Sequence, residues 1–210
     1  QHKSVPMVPH FLTMTATPIP RTLSLAFFGN LDISVLDELP HGRLPIITKV
    51  ARTEIARTKI YQFIDQEIKK GRQAFIIFPL VEESLALKDV KAAIIEHEKL
   101  THKIFPHRKV GLIHGKLKAK EKEALMHDFK DKKYDILVAT AVIEVGIDIP
   151  NATIILIEEA ERFGLAQLHQ FRGRVGRSDL QSYCFLFSGN TSSSIERLRV
   201  LEKENSGFAI

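Results

Sequence analysis

The sequence has 210 residues, 44% of them hydrophobic, with one cysteine and a formal net charge of +5. That is enough apolar material for one large domain, or one domain with part of another, and it excludes a disordered or low-complexity chain. The lone Cys184 excludes an internal disulfide and fits a reducing cytosol, and apolar runs no longer than Ala74 to Phe78 or Ile154 to Ile157 are far too short to span a bilayer.

Gln1 does not look like a natural start, so the chain is expected to begin within a longer protein, and the lack of a signal peptide before it says little. Phe11 to Thr15 reads as a buried strand, and Pro18 and Pro20 open a helical stretch to about Phe28, ended by Gly29-Asn30. Pro40, Gly42 and Pro45 predict a loop, and Ile46 to Val50 is extended again, with a domain boundary or hinge near residue 48. Beyond it, Thr53 can cap a helix carrying Ile60, Phe63, Ile64 and Ile68 on one face, which Gly71 would stop. A strand at Ala74 to Phe78 follows, then a helix capped by Ser84 with Leu87, Val90 and Ile94 inward. Strands are predicted at Val110 to Ile113, Ile136 to Ala139, Ile154 to Ile157 and Tyr183 to Phe187, with a Lys-rich helix over about Ala119 to Lys132. The tail from Ser193 to Glu204 is helical, with Ile195, Leu198 and Leu201 in its stripe. Continuous β-branched runs alternating with amphipathic helices predict an α/β fold, a mostly parallel sheet covered on both faces.

The charge is concentrated. From Lys99 to Lys133 there are 11 Lys and Arg against 4 Asp and Glu, a local +7, whereas the remainder has 19 against 21. Such a run is either a solvated helix face or a nucleic-acid footprint, since clustered cations neutralise phosphates and release counterions.

Four segments carry candidate chemistry. Thr15-Ala16-Thr17-Pro18 ends a strand in small hydroxyl residues, which alone is also a common structural cap. His114-Gly115-Lys116 follows a strand, where an imidazole and a glycine N–H can reach a phosphate, although a lone histidine is as easily structural. Thr140 to Pro150, TAVIEVGIDIP, leaves a strand at its C-terminal edge, where open α/β sheets bind ligands. Within it Gly146 permits close approach, and Asp148 can accept from a ribose hydroxyl or hold the arginines that follow. Those arginines stand in Gln167 to Arg177, QLHQFRGRVGR, where Gln170, Arg174 and Arg177 recur at helical spacing beside Gly173 and Gly176. Two glycines are costly inside a helix unless other backbone must come near.

The order T-A-T-P, H-G, T-A-x-x-x-x-G-I-D-I, Q-x-x-G-R-x-G-R resembles the later motifs of the second helicase superfamily, over nearly the whole chain. Within it, MTATPIPRTL at 14–23 and ERFGLAQLHQFRGRVGR at 161–177 are similar to two related families, the RecG helicases and the transcription-repair coupling factors. The segment Asp32 to Pro45, DISVLDELPHGRLP, has the form carried by the RecG family. Two absences bear on this. No G-x-x-x-x-G-K-[ST] occurs, and Asp37-Glu38 in VLDELPH only imitates an acidic magnesium-binding box.

The resemblance implies a RecA-like helicase C-terminal lobe of three-layer, P-loop-type architecture. Residues 1–48 would then be the end of a first motor lobe and the interlobe linker, 49–190 the second lobe, and 191–210 the start of a translocation element. It implies Arg174 and Arg177 at the γ-phosphate of ATP with Gln170 nearby, Arg177 as arginine finger, and Gly146 and Asp148 lining the interlobe cleft. Thr140, His114, Gly115 and Lys116 would touch DNA, and Thr15, Ala16 and Thr17 would relay nucleotide state between lobes. The expected reaction is ATP-driven remodelling of branched DNA in repair and recombination. Mg2+ would be held mainly by the first lobe, most of which is expected to lie outside this chain along with the wedge domain, so this chain alone is expected to be inactive. DNA, branched or duplex, is the expected partner, with no membrane and a cytoplasmic location. The alternatives are a transcription-repair coupling translocase lobe and a free-standing RecA-like anion-binding or interaction module.

Overall fold

A computed structural model describes residues 12, 14, 34, 42–79, 86–140, 148–189 and 192–204. Among them six strands form one sheet: β1 (Ile47–Ala51), β2 (Gln73–Phe78), β3 (Val110–Ile113), β4 (Ile136–Thr140), β5 (Ala152–Ile157) and β6 (Tyr183–Phe187). All pair in parallel, in the order β1-β6-β5-β2-β4-β3. The helices are α1 (Glu54–Lys69), α2 (Ala86–Lys99), which runs on into a π turn (Leu100–Ile104), α3 (Ala119–Lys130), α4 (Leu165–Arg172) and α5 (Ser192–Lys203).

Every residue of β4 and β5 is buried, which is why these strands read as unbroken apolar runs instead of alternating ones. Alternate positions face opposite helix layers. Phe75, Ile77, Leu137, Ala139, Ile155 and Ile157 pack with Met126 and Phe129 of α3, Leu168 and Phe171 of α4, and Leu198 and Leu201 of α5. Ala74, Ile76, Ile136, Val138, Ile154 and Leu156 pack with Ile60, Ile64 and Ile68 of α1 and Leu100 of the π turn. This is the three-layer α/β architecture expected from the sequence.

Local chemistry sets the element ends. The Thr53 hydroxyl accepts from the Ala56 N–H at 3.1 Å and so satisfies one of the free donors of α1. Gly71, at φ +83°, ends the turn after α1 in a conformation that side chains disfavour. Truncating the fully buried Ile64 to alanine would remove contacts to the sheet and cost about 2–5 kcal/mol.

Three features differ from the sequence reading. The inward stripe of α2 does not pass through Ile94, which is 37% exposed; it runs through Ala93 and His97 to Leu100. The small Ala93 lets the helix lie close, and His97 donates its Nε2–H to the Val110 carbonyl at 3.0 Å. Ser84 and the side chains of Leu87 and Val90 lie outside the described residues. Next, α4 stops at Arg172, so Arg174 and Arg177 are not on a helix with Gln170: Gly173 caps it and Gly176, at φ +76°, turns the chain away. Finally, Leu12 and Met14 belong to no strand and are highly exposed, while the rest of 11–15 and the stretch expected to be helical to Phe28 lie outside the described residues.

Around the expected boundaries, residue 48 falls within β1, which pairs with β6. α5 packs into the core through Ile195, Leu198 and Leu201, as its stripe predicts, and Glu202 accepts from the Val50 N–H at 2.6 Å.

Candidate functional site

Parallel strands give the sheet two chemically distinct edges, and the candidate residues divide between them. The loop 173–182 enters β6 at the N-terminal edge. Because β6 lies between β1 and β5, this loop meets the segments that lead into both neighbours. Arg177 donates from Nε to the Gly173 carbonyl at 3.1 Å and from Nη1 to Asp148 Oδ1 at 3.2 Å. Asp148, four residues before β5, therefore stands at the N-terminal edge, whereas Thr140 ends β4 at the C-terminal one. The expectation that the whole 140–150 segment sits at the C-terminal edge is thus corrected; in a parallel sheet the link from β4 to β5 must cross from one edge to the other. Arg174 is half-buried just after α4, and Gln170 is exposed in the helix's last turn. Ser178 Oγ donates to the Pro150 carbonyl at 3.0 Å, a second tie between the arginine loop and the segment entering β5.

A guanidinium carries five donors in a planar fork. Two of Arg177's are used in these contacts, and its side chain is one-quarter exposed. The group fits the oxygens of a phosphate. Among the described residues no cluster of three or more His, Cys, Asp or Glu side chains could hold a metal ion. Gly146 and Thr15, Ala16 and Thr17 lie outside the described residues.

At the C-terminal edge, β3 and β4 are paired with Ile113 opposite Ala139, so His114 and Thr140 come next in register. Thr140 is buried, and its Oγ1 has no hydrogen-bond partner; neither does His114 Nδ1. Burial lowers the His114 pKa, and Lys122 and Lys116 lower it further against a weaker opposing pull from Glu121. Gly115 and Lys116 are exposed, and Lys122 folds back to donate to the Gly115 carbonyl at 3.2 Å. The two edges are roughly 15 Å apart, the length of a five-residue strand at about 3.3 Å per residue.

Two buried polar clusters were not singled out from the sequence. Glu158, directly after β5, is 2% exposed; it accepts from Arg57 Nη2 at 2.8 Å and from the Tyr61 hydroxyl at 2.9 Å. Burial pushes its carboxyl above the usual range, and Arg57 and Tyr61 restrain that only in part. Arg57 also lies 3.8 Å over the Phe187 ring. A carboxylate ending the apolar run Ile154 to Ile157 was the available signal. The second cluster is Arg172, 3% exposed, which donates from Nη1 to the Leu201 and Glu204 carbonyls at 2.9 and 2.8 Å. It thereby caps the C-terminal end of α5. Its Nη2 lies 2.9 Å from His169 Nδ1, which must accept because a guanidinium only donates.

No helix of the described residues is long and apolar enough to cross a membrane. Residues 56–179 match the helicase conserved C-terminal domain. The chain is 55% identical over 203 residues to the ATP-dependent DNA helicase RecG of Synechocystis sp., covering 96% of this chain and 24% of that protein. To the ATP-dependent DNA helicase RecG of Aquifex aeolicus it is 52% identical over 209 residues, covering 97% and 26%. The chain thus spans about a quarter of the length of these curated relatives. A structure of RecG bound to a three-way DNA junction superposes with a TM-score of 0.78 at 46% identity, covering 92% of this chain and 25% of that one. The second domain of the DEAD-box helicase Mss116p, bound to an RNA duplex, shares the fold with a TM-score of 0.55 at 24% identity, over 74% of this chain and 58% of that one. The lobe is thus RecA-like, and the chain belongs to the helicase conserved C-terminal domain family, within which it is similar to the RecG helicases.

Proposed function

We propose that this chain is the second motor lobe of an ATP-dependent DNA helicase that remodels branched DNA in repair and recombination, working in the cytoplasm. The observation that carries this reading is the division of labour between the sheet edges. One edge presents the Arg177 guanidinium; the other brings Thr140 and His114 together in register, with Gly115 and Lys116 exposed after them. DNA phosphate oxygens suit the hydroxyl of Thr140, and the Gly115 backbone and the Lys116 ammonium could add further phosphate contacts.

At the other edge, Arg177 and Arg174, with Gln170 nearby, meet the γ-phosphate of ATP. Phosphoryl transfer spreads charge over the transferred group's oxygens, and a guanidinium placed there stabilises it. Asp148 holds the Arg177 fork and, with Gly146, lines the cleft towards the first lobe. That lobe supplies the phosphate-binding loop and the ligands of Mg2+, and Thr15, Ala16 and Thr17 relay between the two. Because nucleotide and DNA act at opposite ends of one rigid sheet, a closing movement driven at one edge is felt at the other. The similarity to a RecG structure bound to a three-way junction supports branched DNA as substrate.

The test uses the intact two-lobe protein and a three-way DNA junction. Thr140→Val, nearly the same shape without the hydroxyl, should raise the junction concentration needed for half-maximal ATPase stimulation by about tenfold, as expected for a lost hydrogen bond to a charged group. An unchanged half-maximal concentration would remove the C-terminal edge from the DNA path.

A further inference from the structure

The loop bearing Arg177 is clamped on two sides, by the segment entering β5 and by the segment entering β1. On the β5 side stand Asp148 and Pro150. On the β1 side stands Pro45-Ile46-Ile47. Gln181 donates its side-chain N–H to the Pro45 carbonyl at 2.8 Å, and the Ile47 N–H donates to the Ser182 carbonyl at 3.0 Å. Ser182 Oγ in turn accepts from the Gly176 N–H at 3.2 Å.

Ile46 also packs beside Gly176. A Cβ on Gly176 would lie 2.8 Å from Ile46 Cγ1 and 2.9 Å from Cδ1, closer than real Cβ atoms come to a neighbour. The Ile46 side chain thus occupies the place where residue 176 has none, hard against the backbone immediately before Arg177. Ile46 is partly buried and packed on the core formed with α3, α4 and α5. A group added at position 176 would have to displace this side chain against its packing on the core.

We infer that Ile46 is a positioning residue for Arg177: the segment entering β1 sets where the arginine loop sits, through the Ile46–Gly176 contact and the Gln181–Pro45 hydrogen bond. This rests on the reading of Arg177 as the group that meets the γ-phosphate. In that reading the chain before β1 is the interlobe linker, so a pull on the linker reaches the arginine loop directly, without passing through the sheet.

The test is a double-mutant cycle in the intact two-lobe protein, reading kcat at saturating ATP, KM for ATP and melting temperature. Gly176→Ala should lower kcat on the order of 10²-fold, the scale of a misplacement of about 1 Å. Ile46→Ala should lower it roughly tenfold by loosening the loop. The double substitution gives the methyl introduced at position 176 the room that Ile46 had filled, so it should recover about tenfold of the Gly176→Ala loss, the scale of coupling between touching residues. The strain of an alanine at φ +76° is common to both proteins and cancels. A contact serving only stability would lower the melting temperature and leave kcat at saturation in place; that outcome, or additive losses in the cycle, would overturn the inference. If Gly176→Ala does not fold, Ile46→Ala decides alone: a lower kcat with unchanged melting supports the inference, and an unchanged kcat overturns it. Arg177→Ala runs alongside. If it keeps full kcat, the phosphate reading itself fails; if it loses kcat while the cycle is additive, only the role of Ile46 falls.

Discussion

Arg177 and Asp148, 29 positions apart in the chain, meet at 3.2 Å and join the loop after α4 to the segment entering β5. With Arg177 Nε on the Gly173 carbonyl, this fixes the guanidinium plane before any phosphate arrives. A preorganised charge needs no reorganisation at the moment of reaction, which is where such groups gain their effect.

Arg177→Ala in the intact two-lobe protein should therefore leave ATP affinity within a few-fold and cut DNA-stimulated hydrolysis by roughly 10³, the range typical of arginine fingers. The first lobe makes most ground-state contacts in the proposed arrangement, so the loss should appear in the chemical step. Arg177→Lys should rescue poorly, because an ammonium cannot bond Gly173, Asp148 and a phosphate through one planar fork. Nucleotide affinity and single-turnover hydrolysis, measured separately, decide the matter. Lost affinity with a normal rate at saturation would make Arg177 a ground-state clamp.

Much of this was legible in the sequence. The unbroken apolar runs of β2, β4 and β5 announce strands buried on both faces, and Thr53 and Gly71 mark the ends of α1. What was not legible depended on pairing across the chain. Spacing puts Gln170, Arg174 and Arg177 on one helical face, but Gly173 and Gly176 act as helix terminators, and the arginines share a loop instead. The following arginines were one of two partners the sequence offered Asp148, beside a ribose hydroxyl; that the structure pairs it with Arg177 at the N-terminal edge depends on the parallel topology of the whole sheet. Arg172 looks like one more arginine among several; only the approach of α5 buries it.

The basic run of the α3 region can be tested by salt. Lys116, Lys118 and Lys120 are exposed, whereas Lys122 is turned towards Gly115. If the first three lie along DNA, affinity for duplex should fall steeply with salt, and replacing all three with glutamine should reduce the log–log slope by about 0.9 for each phosphate no longer neutralised. A slope that does not move would assign them to a solvated face.

Acid should weaken the lobe through two histidines. His169 is held below its usual pKa by burial and then by Arg172, and His114 by burial and then by Lys122 and Lys116. Their folded pKa values lie under the unfolded value of about 6.5, so the unfolded chain binds more protons as pH drops from about 7 towards 5. Stability should fall over that window and continue to fall through the folded pKa values. His169→Gln keeps an acceptor for Arg172 without titrating, and urea unfolding of this variant across roughly pH 5–7.5 should show a shallower decline. Parallel curves for the two proteins would mean that His169 takes no part.

The Glu158 cluster gives the clearest energetic test because its parts have opposite signs. The carboxylate is buried at the end of β5, and Arg57 and Tyr61 are its partners. Removing one partner of a buried pair strands a charge, so Arg57→Ala should destabilise the lobe by about 3–5 kcal/mol. Part of that loss is the ring contact of Arg57 with Phe187. Tyr61→Phe, which deletes a single hydrogen bond to the carboxylate, should cost about 1.5–3 kcal/mol. The folded Glu158 pKa is already raised, by burial ahead of the opposing Arg57 and Tyr61, and loss of Arg57 raises it further. A carboxyl whose folded pKa exceeds its unfolded one favours folding when protonated, and that contribution disappears as pH rises through the interval between the two values. The penalty of Arg57→Ala should consequently shrink between about pH 7 and pH 5. The histidine contribution runs the other way but is shared with the parent protein, so the difference between the two cancels it. Urea unfolding of both proteins at the two pH values reads this directly. A penalty that holds constant or grows on acidification would show that Glu158 carries no buried charge, and that Arg57 stabilises the lobe through its contacts with Phe187 and Glu54.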